Sequence, residues 1–114
     1  FVLEFGTNVI GHFFLTELLI PTLTKSYEET KVPACIINTS SFGHRFAPGD
    51  GINFISLEGG PKRGAWVGPW RLYGESKTGN IYISNYFAKK YSDVLVSCAV
   101  HPGETKTDIQ RYAR

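Results

Sequence analysis

The sequence contains no methionine, two cysteines and no uninterrupted apolar segment of membrane length. Its longest apolar stretch, residues 9–23, is interrupted by His12, Glu17 and Pro21, which excludes a bilayer-spanning helix there, and no signal-peptide pattern is present. Because the chain lacks methionine and begins with Phe1, we expect it to be a fragment of a longer protein or a chain that has lost its N-terminus.

The two thiols, Cys35 and Cys98, lie in separate apolar runs, without a C-x-x-C motif or clustered histidines. This pattern favours buried free thiols in a reducing compartment over a disulfide or a metal pair. Four acidic residues show no metal-ligand spacing, so we predict no metal; they are Asp50, Glu58, Asp93 and Asp108. The default expectation for the location is the cytoplasm, and a membrane anchor preceding this sequence stays open.

Charge is also sparse, because the formal net charge of the 114 residues is +2 and the basic residues form no stripe. Neither nucleic acid nor an anionic membrane is indicated as a partner. A hydrophobic content of 42% and an aromatic content of 14% indicate one globular domain. The length suits a single core and is too short for two.

Hydrophobic periodicity predicts alternating helices and strands. The first helix has a wide apolar face, which we expect to be buried on more than one side. Both strands are short apolar runs of the kind that is covered on both faces of a parallel sheet. The expected elements are a helix over residues 1–23, a polar connection over 24–33, a strand over 34–37, a long loop or lid over 42–72 with a short strand near 52–55, a helix over 71–91 and a strand over 94–100.

This order predicts an α/β fold in which right-handed crossovers join parallel strands. The functional edge of such a sheet lies at the carboxyl ends of its strands. The polar run Asn38-Thr39-Ser40-Ser41 follows the first strand, and His101-Pro102-Gly103 follows the second. Core candidates of the second helix are Ile81, Ile83, Tyr86 and Phe87.

The segment Tyr73-Gly74-Glu75-Ser76-Lys77 carries the clearest chemistry. Residues four apart lie on one face of a helix, so the Tyr73 phenol and the Lys77 ammonium can converge on one bound molecule. A nearby cation favours the phenolate form, which makes the pair suitable for acid–base work near neutral pH. By itself the spacing also suits an amphipathic surface helix.

Four signals in order resemble the catalytic half of the short-chain dehydrogenase/reductase family. They are Asn8 in Asn-Val-Ile-Gly-His-Phe, Ser41 at the end of Ile-Asn-Thr-Ser-Ser, Tyr73-x-x-x-Lys77, and Pro102-Gly103 followed by Thr107. The run Gly11-His12-Phe13-Phe14-Leu15-Thr16 and the long segment before Tyr73 look most like retinol-dehydrogenase-like and fungal light-induced-alcohol-dehydrogenase-like members. The resemblance covers nearly the whole chain and implies a Rossmann-like, doubly wound parallel sheet.

The resemblance implies an NAD(P)-dependent oxidoreductase that interconverts an alcohol and a carbonyl. Tyr73 would be the general acid or base, and Lys77 would hold the nicotinamide ribose hydroxyls and favour the Tyr73 phenolate. Ser41 would hydrogen-bond the substrate oxygen, with Ser40 as the fallback. Asn8 would order a water that relays protons to Lys77.

Further positions would contact the cofactor. Asn38 would shape its side of the sheet edge, and Pro102, Gly103 and Thr107 would meet the nicotinamide and its nearby phosphate. The glycine-rich turn and the residue that distinguishes NAD from NADP should precede this chain and are not in it, so the sheet is expected to be incomplete. The resemblance favours NADP slightly over NAD.

Gly79 departs from the usual pattern, because glycine costs a helix interior about 1 kcal/mol relative to alanine.

Two alternative functions are open from the sequence. The chain is an inactive fragment that only associates, forming a homodimer through the helices 1–23 and 71–91, or a serine hydrolase built on Ser41 with His44 or His101. The second is disfavoured because Ser41 does not lie in a Gly-x-Ser-x-Gly elbow. Trp66 and Trp70 either line a substrate pocket or pin the long loop.

Overall fold

A computed structural model of the protein describes residues 3–58 and 68–103. The elements are named α1, α2 and α3 for the α-helices and β1 and β2 for the strands. In chain order they are α1 (Leu3–Phe5), a π-helix (Gly6–Gly11), α2 (His12–Thr30), β1 (Ala34–Thr39), two 3-10 helices (Phe42–Phe46 and Phe54–Leu57), α3 (Pro69–Lys90) and β2 (Leu95–Val100).

The first helical region is continuous from Leu3 to Thr30 and includes one π-helical stretch. The prediction that this helix ends near Leu23, with a connection over 24–33, is wrong. Pro21 lies inside α2 and is exposed. Proline has no N–H to donate, so one helical hydrogen bond is missing on the solvent-facing side of the helix. The helix ends where Lys31 adopts a left-handed conformation with φ 59°.

The strands β1 and β2 are parallel neighbours, with Ala34 opposite Leu95 and Thr39 opposite Val100. α3 is the crossover that joins them, as the alternating pattern predicts. These elements form part of an incomplete, Rossmann-like α/β fold. Ser40, which follows β1, donates its backbone N–H to the carbonyl of Val100 at 2.8 Å, so the pairing continues to the carboxyl edge.

The strands are covered less fully than the sequence predicts. Burial alternates along β1, with Cys35 and Ile37 exposed, because α2 and α3 cover one face of the sheet in this chain. The expectation of two buried thiols is therefore wrong, since Cys35 is exposed and Cys98 is partly exposed, although both are free. A 3-10 helix at Phe54–Leu57 replaces the short strand predicted near residues 52–55, because Asn53 caps it by accepting the Ile55 N–H.

The core lies between α3 and the first helical region. Its buried side chains are Phe5, Val9, Ile20, Leu57, Leu72, Ile83, Phe87 and Leu95. Phe87 is 0% exposed, and its ring centroid lies 5.4 Å from that of Phe13. The core predictions for Ile83 and Phe87 are confirmed and Ile81 is partly buried, whereas Tyr86 remains 41% exposed. The first helix is not buried on several sides, because Phe14, Leu15, Leu18 and Leu19 are exposed.

Gly79 allows the close approach of α3 to the first helical region. A Cβ atom at Gly79 would lie 2.5 Å from Val9 Cγ2 and 3.3 Å from Phe5 Cε2. Both neighbours belong to the buried core, and the valine side chain has little rotamer freedom. The helix-propensity cost of glycine is therefore offset by packing.

We expect Gly79→Ala to destabilise the protein by about 1–2 kcal/mol, because overpacking a core exceeds the gain in helix propensity. Urea unfolding of the full-length protein measures this change. Gly6→Ala is the matched control, since a Cβ at Gly6 meets nothing within 4 Å. We expect Gly6→Ala to be neutral or mildly stabilising. Equal stability of the two variants would show that the contact at Gly79 does not limit packing.

Among the helices within residues 3–58 and 68–103, none combines the length and the apolarity needed to cross a membrane.

Candidate active site

Tyr73 and Lys77 lie on one face of α3, at the carboxyl edge of the sheet. The Lys77 Nζ atom is 5.6 Å from the Tyr73 ring centroid and donates a hydrogen bond to the carbonyl of Thr39 at 3.1 Å. Thr39 is the last residue of β1. Lys77 is half-buried, and desolvation by burial lowers the pKa of its ammonium. The helical spacing therefore places the phenol beside a partly desolvated cation.

The adjacent serines have different contacts. Ser40 is buried and donates its hydroxyl to the carbonyl of Lys77 at 2.8 Å, which ties the end of β1 to α3. Ser41 caps the first 3-10 helix by accepting the Gly43 N–H at 3.1 Å. An acceptor role leaves the Ser41 hydroxyl hydrogen free to be donated elsewhere. The Ser40 hydroxyl is therefore occupied between β1 and α3, whereas the Ser41 hydroxyl hydrogen is not engaged by the cap.

Gly43 separates Ser41 from Tyr73. A Cβ at Gly43 would lie 2.7 Å from Tyr73 Cε1 and 3.4 Å from Ser41 Oγ. The backbone of Gly43 therefore lies directly against the tyrosine ring, with the serine hydroxyl close by. The structure thus brings the predicted Ser41 and Tyr73 to one place, although they are 32 positions apart in the sequence.

Asn8 reaches the same region from the π-helix. Its Nδ2 donates to Ser76 Oγ at 3.1 Å, and Ser76 donates to the Tyr73 carbonyl at 2.8 Å. Ser76 is fully buried. Asn8 therefore ties the first helical region to the turn of α3 that carries Tyr73. π-helical stretches occur often at functional sites, and this one supplies a predicted site residue.

A cavity of about 160 Å³ lies beside Lys77. Its lining residues are Asn8, His12, Ile37, Asn38, Thr39, Lys77 and Asn80. Asn38, predicted to shape the cofactor side, donates to the buried Ser84 hydroxyl at 2.8 Å. The cavity therefore joins three predicted site residues, Asn8, Asn38 and Lys77, in one polar space.

Pro102 and Gly103 follow β2 at the same sheet edge and are exposed. The ring of His101, which precedes them, lies 6.5 Å from that of Phe42 beside Ser41. Gly103 has φ 87°, a conformation that side chains disfavour. Thr107 and Trp66, two further residues named from the sequence, lie outside the described residues.

Comparison with known proteins gives the same family that the motifs suggest. A short-chain dehydrogenase/reductase of Armillaria gallica is 36% identical over 111 residues, which is 96% of this chain and 34% of the relative. Short-chain dehydrogenase TIC 32 A, chloroplastic, of Brassica napus is 34% identical over 113 residues, 96% of this chain and 34% of the relative. Mouse retinol dehydrogenase 11 is 33% identical over 114 residues, 99% of this chain and 32% of the relative.

By sequence, this chain belongs to the short-chain dehydrogenase/reductase family. It spans about a third of the length of the curated relatives that it matches. No family model matches the chain. No solved structure matches it either.

This short-chain dehydrogenase/reductase chain also uses a residue that sequence reasoning missed. Glu75, between Tyr73 and Lys77, is 0% exposed and accepts a hydrogen bond from Ser56 Oγ at 2.6 Å. The Arg71 Nε lies 3.5 Å from the other carboxylate oxygen. The carboxylate therefore pins the second 3-10 helix to α3. Ser56 is 19 positions away in an irregular segment, so no local pattern signals the contact.

Gly74 was missed as well, although it adjoins Tyr73. A Cβ there would lie 2.7 Å from the Gly43 carbonyl oxygen, 2.8 Å from the Ala47 nitrogen and 3.0 Å from the Phe46 carbonyl carbon. All three are backbone atoms, so a side chain at Gly74 must push the loop away from α3. The loop is the segment that carries Gly43 against the Tyr73 ring.

We expect Gly74→Ala to destabilise the full-length protein by about 1–3 kcal/mol, as overpacking does, despite the better helix propensity of alanine. It should also lower catalytic activity, because the loop is displaced from Tyr73. Urea unfolding and a rate measurement test the two effects. Gly6→Ala again serves as the control, because its Cβ lies in open space. A Gly74→Ala protein with unchanged stability and rate would contradict the packing argument.

The serine hydrolase alternative gains no support from this arrangement. His44 Nδ1 lies 2.7 Å from the carbonyl oxygen of Ser41, so the ring is paired with the backbone and not with the hydroxyl. His101 packs against Phe42. Within residues 3–58 and 68–103, no group of three or more histidine, cysteine, aspartate or glutamate side chains is arranged to hold a metal ion.

Proposed function

We propose that the full-length protein containing this chain is an NAD(P)-dependent oxidoreductase that interconverts an alcohol and a carbonyl. The observation that carries the proposal is the Lys77 ammonium 5.6 Å from the Tyr73 ring centroid, with Ser41 across Gly43. A phenol, a cation and a hydroxyl donor at one point are the groups that proton transfer to a carbonyl oxygen requires. The family names of the relatives support the same reaction class.

The residues at this edge fit a nicotinamide dinucleotide. The Lys77 ammonium has three N–H donors and gives one of them to Thr39, so two remain for ribose hydroxyls or water. The buried Asn80 is 4% exposed, and its Oδ1 has no hydrogen-bond partner among the described residues. An unpaired buried acceptor in a polar cavity suits a hydroxyl-bearing molecule or water. We propose NADP(H) as the preferred cofactor and NAD(H) as the other candidate.

A bound reduced nicotinamide supplies the hydride that forms the new C–H bond at the carbonyl carbon. Tyr73 would give its phenolic proton to the carbonyl oxygen, where the electron pair of the broken C=O π bond forms the new O–H bond. Ser41 donates a hydrogen bond to the same oxygen while negative charge develops there. The Lys77 ammonium stabilises the phenolate that remains. In alcohol oxidation, the phenolate removes the hydroxyl proton.

The side chains around Tyr73 favour an apolar substrate. The Trp70 ring lies 6.4 Å from the Tyr73 ring at an interplanar angle of 88°, and the Phe46 ring lies 6.2 Å from Trp70. In the part of the chain that the structure describes, Trp70 and Phe46 are both exposed, so their ring faces can contact a bound molecule. This observation favours the pocket role of Trp70. We propose a lipophilic alcohol or carbonyl as the substrate class.

The proposal is tested with the full-length protein, NADPH or NADH, and a panel of aldehydes and ketones of increasing apolar size. The expected result is carbonyl-dependent loss of reduced nicotinamide with an equal amount of alcohol formed. The larger apolar carbonyls should have the higher kcat/KM. Cofactor consumption that does not depend on any carbonyl, or the absence of alcohol, would argue against the assigned reaction.

The compartment is proposed from the thiols. Cys35 and Cys98 are both free, which is typical of proteins kept in a reducing environment. We propose a cytoplasmic location on this ground. Fractionation followed by detection of the full-length protein tests it, and recovery in an oxidising compartment would contradict it.

A second candidate, association between copies, is favoured by the exposed apolar face of the first helical region. Ile10, Phe14 and Leu18 are exposed and recur at a spacing of four, so they form one stripe. We propose that this stripe lies in a homodimer interface. Light scattering should then give a dimer mass for the full-length protein, and Leu18→Glu should give a monomer. A monomeric wild type would exclude this role.

A further inference from the structure

His12 lines the same cavity as Lys77, although it is on a different element. Its Nδ1 lies 2.9 Å from the carbonyl oxygen of Thr7 and 3.1 Å from that of Asn8. Carbonyl oxygens only accept hydrogen bonds, so Nδ1 must carry a hydrogen. The free nitrogen, Nε2, then accepts a proton whenever the imidazole is neutral. The π-helix therefore fixes both the tautomer and the orientation of this ring.

The cavity between His12 and Lys77 suits water. Its volume of about 160 Å³ is large enough to hold water. Most of its lining side chains are polar, and the Asn80 Oδ1 has no hydrogen-bond partner among the described residues. Buried acceptors of this kind are normally satisfied, and water is the donor that fits a polar cavity.

The reaction needs such a path. Each carbonyl reduction removes one proton from Tyr73, and a proton from solvent must replace it before the next turnover. Lys77 contacts the Tyr73 ring on one side and lines the cavity on the other. His12 is exposed, so its imidazole meets bulk solvent. Among the lining residues, His12 and Lys77 are the two whose side-chain nitrogens can take up and release a proton.

We infer that His12 is the solvent end of a proton relay that runs through water in this cavity to Lys77 and restores the proton of Tyr73. Nε2 takes a proton from solvent and gives it to a cavity water. That water reprotonates Lys77 as the ammonium passes a proton to the phenolate. One proton enters and one reaches Tyr73, so the relay balances. His12 touches neither substrate nor Tyr73 and is a positioning and relay residue.

The inference rests on the proposed function, and it is tested with the full-length protein carrying His12→Gln. Glutamine retains a polar side chain but cannot titrate. We expect kcat for carbonyl reduction to fall about tenfold, a part of the 10²–10⁴ that acid–base catalysis supplies. KM should change little. Added imidazole should restore most of the lost rate.

Thr16→Val is the matched control, because Thr16 donates to the carbonyl of His12 itself at 2.8 Å and so perturbs the same turn without lining the cavity. It should leave kcat unchanged and show no response to imidazole. An active wild type whose His12→Gln variant has the same kcat, or a lowered kcat that imidazole does not restore, would overturn the relay alone. An inactive wild type would overturn the relay together with the oxidoreductase function.

Discussion

In the full-length protein, Tyr73→Phe is expected to lower the rate of carbonyl reduction at saturating cofactor and substrate by about 10²–10⁴-fold. The substitution removes the hydroxyl group that donates the proton. It keeps the ring that packs against Gly43 and Trp70, so the loop and the pocket should keep their positions. Lys77 also remains, and cofactor binding should therefore change little.

The measurement is kcat at saturating concentrations, with cofactor affinity from nicotinamide fluorescence. Tyr82→Phe is the matched control, because Tyr82 lies on the same helix, is exposed, and has its hydroxyl against Gly51. It should retain the wild-type rate. If Tyr73→Phe and Tyr82→Phe are equally active, Tyr73 is not the proton donor.

Lys77→Met should lower kcat/KM by more than Tyr73→Phe does, because Lys77 has two functions in the proposal. It would stabilise the phenolate that remains after proton transfer, and it would donate to the bound cofactor. Loss of phenolate stabilisation alone should lower the rate by about 10²–10⁴-fold. Loss of the second weakens cofactor binding as well. Steady-state kinetics, together with a cofactor titration, separate the two contributions.

Lys77→Met should not destabilise the folded protein by removing the Lys77 charge. Burial lowers the pKa of Lys77 in the folded state below its ordinary value, so the unfolded state binds more protons between those two values. Wild-type stability should therefore rise as pH increases through that window, and the rise should be absent in Lys77→Met. Lys89→Met, an exposed cation near the end of the same helix, is the control. A Lys77→Met protein with wild-type kcat/KM would contradict both functions.

Much of the fold follows from the sequence because its signals are local. Two short apolar runs joined by a long helical pattern predict parallel strands with a crossover, and β1, α3 and β2 have that arrangement. The spacing of Tyr73 and Lys77 likewise places both on one helical face, whatever the rest of the chain does. Ser41 follows β1, so its position at the sheet edge is predicted by the strand.

What the sequence did not predict depends on contacts between distant segments. From the sequence alone, Gly79 only lowers the helix propensity, because its close contact with Val9 is not visible there. The need for glycine at position 74 likewise depends on the Gly43 carbonyl oxygen, which lies against it. The burial of Glu75 has no local signal, because its partner, Ser56, lies 19 positions away in an irregular segment. The π-helix that orients His12 has no periodicity of its own over six residues. In each case tertiary packing, not local preference, decides the structure.

In the proposed reaction, a hydride passes between a nicotinamide and a carbonyl carbon while Tyr73 moves the proton. The most direct test uses cofactor deuterated at the transferring position, with the full-length protein and its best carbonyl substrate. We predict an alcohol with one deuterium on the former carbonyl carbon, formed at least about 10²-fold more slowly by Tyr73→Phe. An alcohol without deuterium, or equal deuterium transfer by both proteins, would contradict the claim.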